Sequence, residues 1–273
     1  MIKVKFHAHW RPDDYVQNWI SKYTSDGKHW NDLELVSGDD YDYLVIMNMP
    51  KAGYKFDKSR AIFLQTEAPS IRKQWGQYND DMDKSPYFHV YPFPTVFGWS
   101  MDISYQELQE KTFDKFSVMS GVISNKNHFY GQKLRLKFVN EVLKKKEFYT
   151  AFGRGNGKST GDKSEGLFPF KYTFNVENQF EKNFITEKLH DGFIAECLTF
   201  YDGCPNTEDF YDNDAYIRID MTDFDKTIDI IEKSIEDNEW EKRLPKIKQM
   251  KYKIMNELQP MPLVERIIKE GNL

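Results

Sequence analysis

The stretch from Tyr172 to Gly203 constrains the fold more than any other part of this sequence. It opens with an apolar, strand-like run, Tyr172–Val176, crosses a polar loop, and enters a helix marked by Thr186 with Glu187 in its first turn. A second apolar run, Cys197–Tyr201, then stops at Asp202-Gly203. A strand, a crossover helix and another strand in so short a span make a β-α-β unit, which implies a parallel sheet. In open α/β sheets ligands sit beyond the carboxyl ends of the strands, where the free amides of a helix N-terminus attract phosphate. Lys188, at the start of that helix, is a cation placed to meet a diphosphate.

The same grammar fills the rest of the chain. Short apolar bursts at Ile2–Phe6, Leu33–Val36, Tyr43–Met47 and Ala61–Leu64 are bounded by Asp, Gly, Pro or Lys and predict strands. The first alternates charge with apolar residues like an edge strand. Between the first two, Tyr15, Val16, Trp19, Ile20 and Tyr23 recur at helical spacing. From about residue 116 the pattern restarts with a strand at Phe116–Ile123, a helix at Gln132–Lys145 and strands at Phe148–Phe152 and Tyr216–Ile219. The expected division is a first domain over 1–115, a second over 116–258, and a tail helix over 259–273.

Composition limits what such a chain can do. Its 273 residues suit two domains at about 100–200 residues each, and 40% hydrophobic with 16% aromatic residues suits packed cores rather than disorder. A formal net charge of −5 argues against a nucleic-acid binder held by phosphate contacts. Two cysteines, Cys197 and Cys204, cannot build a zinc site or a disulfide framework. No apolar run is long enough to span a membrane and the N-terminus lacks a signal-peptide core, so a cytoplasmic protein is expected.

Three motifs invite chemistry and yield to simpler explanations. Gly157-Lys158-Ser159 ends like a P-loop, but the position five residues before Gly157 is Phe152. Gly153 is one step too close, and the amide cradle depends on that count. Asp40-Tyr41-Asp42 and Asp212-Asn213-Asp214 match a metal-holding DxD pattern, yet both sit where solvated loop ends are expected. His7 and His9 share one face of the first strand without an evident third ligand.

The ordered set around Tyr172–Gly203 is different. Val176-Glu177-Asn178 followed by Phe184-Ile185-Thr186-Glu187-Lys188 resembles the hallmark of glycosyltransferase family 10, the α-1,3/1,4-fucosyltransferases. Val122-Ile123-Ser124-Asn125 with Arg135 is similar to that family's Ser-Asn turn and arginine helix, and Tyr149–Gly153 to its Tyr-Gly strand end. Downstream, Asp202–Pro205 and Tyr216–Asp220 take the places of its Gly-Pro-Pro turn and following strand. The first half is thinner: Ala61–Pro69 is similar to the Phe-Glu-Ser-Pro segment, and Phe97–Ser100 to Phe-Asn-Trp-Thr. Phe184 stands where the family has Tyr, and the turn after Asp202 is less Pro-rich.

The resemblance implies an α/β protein of the GT-B type, two Rossmann-like domains facing across a cleft, with the acceptor held by the first and the nucleotide by the second. It implies an inverting transfer of fucose from GDP-fucose to a glycan hydroxyl. Glu67 is the candidate general base, which takes the acceptor's proton. Arg135 and Lys188 are the candidate diphosphate cations, and Asn178 and Glu187 would bond donor hydroxyls or ribose. Phe184 packs beside them, and Asn125 completes the donor set. Because the cations replace a metal, no obligatory divalent ion is expected. The alternatives are a nucleotide-sugar or glycan-binding protein without turnover, suggested by Phe184, or a family member with another donor sugar.

Overall fold

The structure is a computed structural model and describes residues 1–68, 70, 88–89 and 98–270. Pro69 and Phe97, quoted above, lie outside the described residues. Two compact units emerge, one drawn from Met1–Gly98, Ile103–Lys111 and Met255–Leu273, the other from Trp99–Asp102 and Thr112–Ile254.

The first unit holds a six-stranded sheet in the order β2-β3-β1-β4-β5-β6. The strands are β1 (Ile2–Ala8), β2 (His29–Trp30), β3 (Leu33–Leu35), β4 (Tyr43–Met47), β5 (Ala61–Leu64) and β6 (Phe88–His89). All neighbours run parallel except β2 on β3. Parallel strands are covered on both faces, so their residues read as apolar runs; Leu44, Val45, Ile46 and Met47 are all fully buried.

β1 corrects a sequence expectation, because its alternating charges suggest an edge and it lies in the middle. Lys5 is only 4% exposed, and its ammonium is held by Asp13 at 3.3 Å and Asp39 at 3.1 Å. Partnered carboxylates are what allow a lysine to sit inside a central strand. The helix Pro260–Glu270, which the sequence sets apart as a tail, belongs to this unit. It buries Met261, Leu263, Val264 and Ile267. The Glu265 carboxylate accepts from the Trp30 indole at 3.2 Å and the Asn31 amide at 2.8 Å.

The second unit is a five-stranded, wholly parallel sheet in the order β11-β10-β9-β7-β8. Its strands are β7 (Ser117–Val122), β8 (Tyr149–Phe152), β9 (Phe170–Val176), β10 (Leu198–Asp202) and β11 (Tyr216–Arg218). Helix Tyr130–Glu141 joins β7 to β8, and helix Glu187–Ile194 joins β9 to β10. β8 is added on one side of β7 and β9 on the other, so the winding reverses between β7 and β9. Such a reversal opens a crevice at the carboxyl ends of the two strands. In the first unit β3 and β4 flank β1 in the same way.

Glycine allows the crevice to close tightly. A Cβ on Gly131, in the first turn of helix Tyr130–Glu141, would stand 1.9 Å from the Glu177 carbonyl oxygen. Gly153 takes φ +114°, and a Cβ there would stand 2.3 Å from the Ile123 carbonyl oxygen. Only glycine reaches that backbone region without strain.

Candidate functional site

At the reversal point of the second unit lies a cavity of about 490 Å³. Its walls come from the end of β7 (Val122, Ile123, Ser124), the end of β9 (Asn175, Val176, Asn178), helix Tyr130–Glu141 (Gln132, Arg135) and the start of helix Glu187–Ile194 (Glu187, Lys188). Gly153, Arg154, Thr160 and Lys163 close it from the Gly-rich loop over 153–167. Among the described residues of the lining, Lys126, Arg135, Arg154, Lys163 and Lys188 stand against the one carboxylate of Glu187, a formal charge of +4 in a chain of −5. Low-dielectric walls concentrate such a field on an anion.

The family-like segment is organised around a buried carboxylate. Glu177 is fully buried just beyond β9. It accepts from the Thr186 amide at 2.8 Å, from the Thr186 hydroxyl at 2.8 Å, and from the Lys188 ammonium at 3.2 Å. Thr186 also caps the helix, its hydroxyl accepting from the Lys188 amide at 3.4 Å. A charge buried this deeply persists only when paired and hydrogen-bonded. Glu177 therefore fixes the helix start and aims Lys188 into the cavity.

Glu187 sits between two ammonium groups, 3.6 Å from Lys188 and 3.7 Å from Lys163. Burial pushes its pKa up, but the two lysines prevail and hold it down at about 2. Arg135 is 6% exposed, and its Nη1 donates to the Val176 carbonyl at 2.8 Å and to Asn178 Oδ1 at 3.0 Å. Burial lowers its pKa, opposed by the Glu177 and Glu187 carboxylates. Gln132 donates to the same Asn178 oxygen at 3.3 Å, so the Asn178 amide nitrogen is the end left to face a ligand.

Of the six donor-side residues named from the sequence, Arg135, Asn178, Glu187 and Lys188 converge on this cavity. Phe184 and Asn125 do not line it. Phe184 is 3% exposed in the interior, where its phenyl ring packs as core. Asn125 instead braces the loop: its amide donates to the Arg154 carbonyl at 3.1 Å and its side chain lies against Gly155. Sequence reasoning missed Lys163, Arg154 and Lys126. The P-loop-like run of Gly and Lys over 153–167 was the signal for Arg154 and Lys163, and failing the P-loop count left it without a role; Lys126 directly follows the Ser124-Asn125 turn.

The first unit has its own cavity, about 480 Å³, at the carboxyl ends of β1, β4 and β5. His9, Trp10 and Arg11 follow β1, Asn48 follows β4, and Thr66 and Glu67 follow β5, with Tyr15, Val16 and Trp19 from helix Asp13–Ser21. Asn48 fixes the Glu67 segment: its Oδ1 accepts from the Thr66 amide at 2.7 Å and its Nδ2 donates to the Thr66 hydroxyl at 2.6 Å. His9 lies in the wall, its pKa lowered by burial and by nearby His7. His7 is fully engaged, with Nδ1 2.7 Å from Asp13, Nε2 accepting from the Lys51 amide at 3.0 Å, and its ring stacked on Tyr54.

Both acidic triplets are structural. Asp42 accepts from the Lys3 amide at 2.7 Å and Asp40 pairs with the Lys3 ammonium, while Asp212 pairs with Lys246 at 2.8 Å and accepts from the Asp214 amide. Among the described residues no three His, Cys, Asp or Glu side chains gather as a metal would require. No described helix is long and apolar enough to cross a membrane.

No protein-family model matches the sequence. Over 112 residues, 39% of its length, the chain is 30% identical to the 4-galactosyl-N-acetylglucosaminide 3-alpha-L-fucosyltransferase 9 of Mus musculus and of Homo sapiens. The Bos taurus protein of that name is 30% identical over 113 residues. The match spans 30% of the length of these relatives. Among solved structures, an alpha1,3-fucosyltransferase resembles 89% of this chain over 81% of its own, with TM-score 0.49 and 17% identity. A DNA-modifying beta-glucosyltransferase covers 98% of this chain and 100% of its own, with TM-score 0.47 and 10% identity. The chain thus resembles the α-1,3-fucosyltransferases in sequence over part of its length.

Proposed function

We propose that the protein is an inverting glycosyltransferase that moves fucose from GDP-fucose to a hydroxyl of a glycan. The observation that carries this reading is the cavity between the ends of β7 and β9, where five cations face one carboxylate. That is a seat for a diphosphate, which carries negative charge when bound and gains more as its bond to the sugar breaks. The choice of a fucosyl donor rests on the Val176–Asn178 and Phe184–Lys188 resemblance and on the fucosyltransferase relatives matched at 30% identity.

In the proposed reaction a hydroxyl oxygen of the acceptor forms a bond to the anomeric carbon while that carbon's bond to the diphosphate oxygen breaks, inverting the centre. The hydroxyl proton goes to Glu67, and GDP leaves with the electron pair. Arg135 and Lys188 hold the departing diphosphate, Arg as a planar fork and Lys as a point charge. Asn178 and Glu187 bond donor hydroxyls or ribose. The cations supply the charge a divalent ion would otherwise supply.

A thermal-shift panel of nucleotide sugars tests the donor assignment. A ligand at about 100 times its dissociation constant stabilises by about 2.7 kcal/mol. GDP-fucose should therefore raise the melting temperature more than UDP- or CMP-sugars do, and EDTA should leave that shift in place. A larger shift with UDP-sugars would remove the donor assignment and leave the cavity with another nucleotide.

A further inference from the structure

The Gly-rich loop over 153–167 is anchored at several points. Its end forms a tight turn at Lys163–Gly166, where the Asp162 side chain accepts from the Ser164 amide at 2.9 Å. The same carboxylate accepts from the Asp102 amide at 2.9 Å, and Glu165 accepts from the Gly161 amide at 2.9 Å. The turn carries Lys163 to helix Glu187–Ile194. There its ammonium lies 2.9 Å from Asp191 and 3.7 Å from Glu187. Those two carboxylates stand four residues apart on one helix face, where like charges repel. One ammonium offsets both.

The two lysines beside Glu187 are not equivalent. Both line the cavity, but Lys188 has other demands, 3.2 Å from Glu177 and 2.8 Å from the Thr186 hydroxyl. Lys163 is tied from behind. Its partner Asp191 is 2% exposed and is held by the Ser100 amide at 2.7 Å. A diphosphate drawing on Lys188 would weaken that lysine's hold on Glu187, whereas Lys163 is anchored through Asp191.

We propose that Lys163 is a positioning residue of the donor cavity, holding the Glu187 carboxylate toward the donor while Lys188 turns to the diphosphate. This rests on the donor reading above. It gives the Gly-rich loop a role unrelated to a P-loop: the loop delivers a cation to the back of a carboxylate rather than amides to a phosphate.

A double-mutant cycle on the full chain, read as GDP-fucose affinity by calorimetry, tests it. Lys163→Met should weaken binding roughly tenfold or more, the loss expected for one charged hydrogen bond, and Lys163→Arg should recover most of it. Glu187→Gln should also weaken binding. The double variant should bind within about twofold of Glu187→Gln alone, because residues acting through one another are not additive. The pH profile supplies a second readout. Glu187 stays ionised down to about pH 2 with both lysines present. Removing Lys163 should therefore move the acid limb of donor binding upward, whereas a loss of packing alone would not.

Additive losses would overturn the proposal by showing that Lys163 meets the donor directly. So would unchanged binding and an unmoved acid limb in Lys163→Met, or a Glu187→Gln variant that binds as wild type. If Lys163→Met lowers the melting temperature too far for titration, Lys163→Gln enters the same cycle in its place. A wild-type chain that does not bind GDP-fucose would overturn the donor reading itself, an outcome distinct from failure of the cycle.

Discussion

At the scale of single residues, charge placement separates binding from chemistry. Lys188 is aimed by the buried Glu177 carboxylate 3.2 Å away, and its own side chain is only 18% exposed. Lys188→Ala should cost about 1.5–3 kcal/mol of GDP affinity and lower turnover with it, and an unchanged GDP dissociation constant would show that the ammonium serves only Glu177. Glu67 lines the cavity of the other unit. Glu67→Gln keeps the size and much of the hydrogen bonding but cannot take a proton, so the initial transfer rate should fall about 10²–10⁴-fold with GDP affinity unmoved. Transfer near the wild-type rate would send the search for the base elsewhere in the first unit. Asn178, Glu187 and Lys188 were legible in the sequence because they lie in a short ordered motif, and Arg135 because it follows a Ser-Asn turn at the family's place. Lys163 was not, because its partners Asp191 and Glu187 come from another element and no local spacing records their approach.

At the scale of elements, the crevice depends on how closely helix Tyr130–Glu141 meets the end of β9. Replacing a helical glycine by alanine ordinarily gains about 1 kcal/mol. At Gly131 the added carbon would meet the Glu177 carbonyl oxygen at 1.9 Å, a backbone atom that cannot swing aside. Overpacking of that kind costs about 1–3 kcal/mol, so Gly131→Ala should lower the melting temperature and, by displacing Arg135, weaken GDP binding. A melting temperature raised by the substitution would mean the helix start is not pinned. Most strands were readable from sequence because parallel strands are apolar runs bounded by breakers, as at Tyr43–Met47. β1 misled for a definite reason: Lys3 and Lys5 give it the look of an edge, and the carboxylates that allow Lys5 inside come from Asp13 and Asp39, outside the strand.

At the scale of the whole molecule, the chain does not lay its units end to end. The first unit takes its last helix from Pro260–Glu270, beyond the second unit in sequence. A periodicity argument finds that helix but cannot say where it docks, since the Glu265 contacts to Trp30 and Asn31 span more than two hundred positions. Removing residues 255–273 should therefore destabilise the first unit while leaving the residues of the cation-lined cavity in the chain. Circular dichroism and tryptophan fluorescence should show partial loss of structure with Trp30 exposed, and an unaltered melting profile would refute this. The interleaving also bears on synthesis. The first unit's strands leave the ribosome before the second unit's, yet their closing helix is translated only after the second unit's sequence is complete. The unit begun before the other is thus closed after it, and until then its apolar face is open to a chaperone.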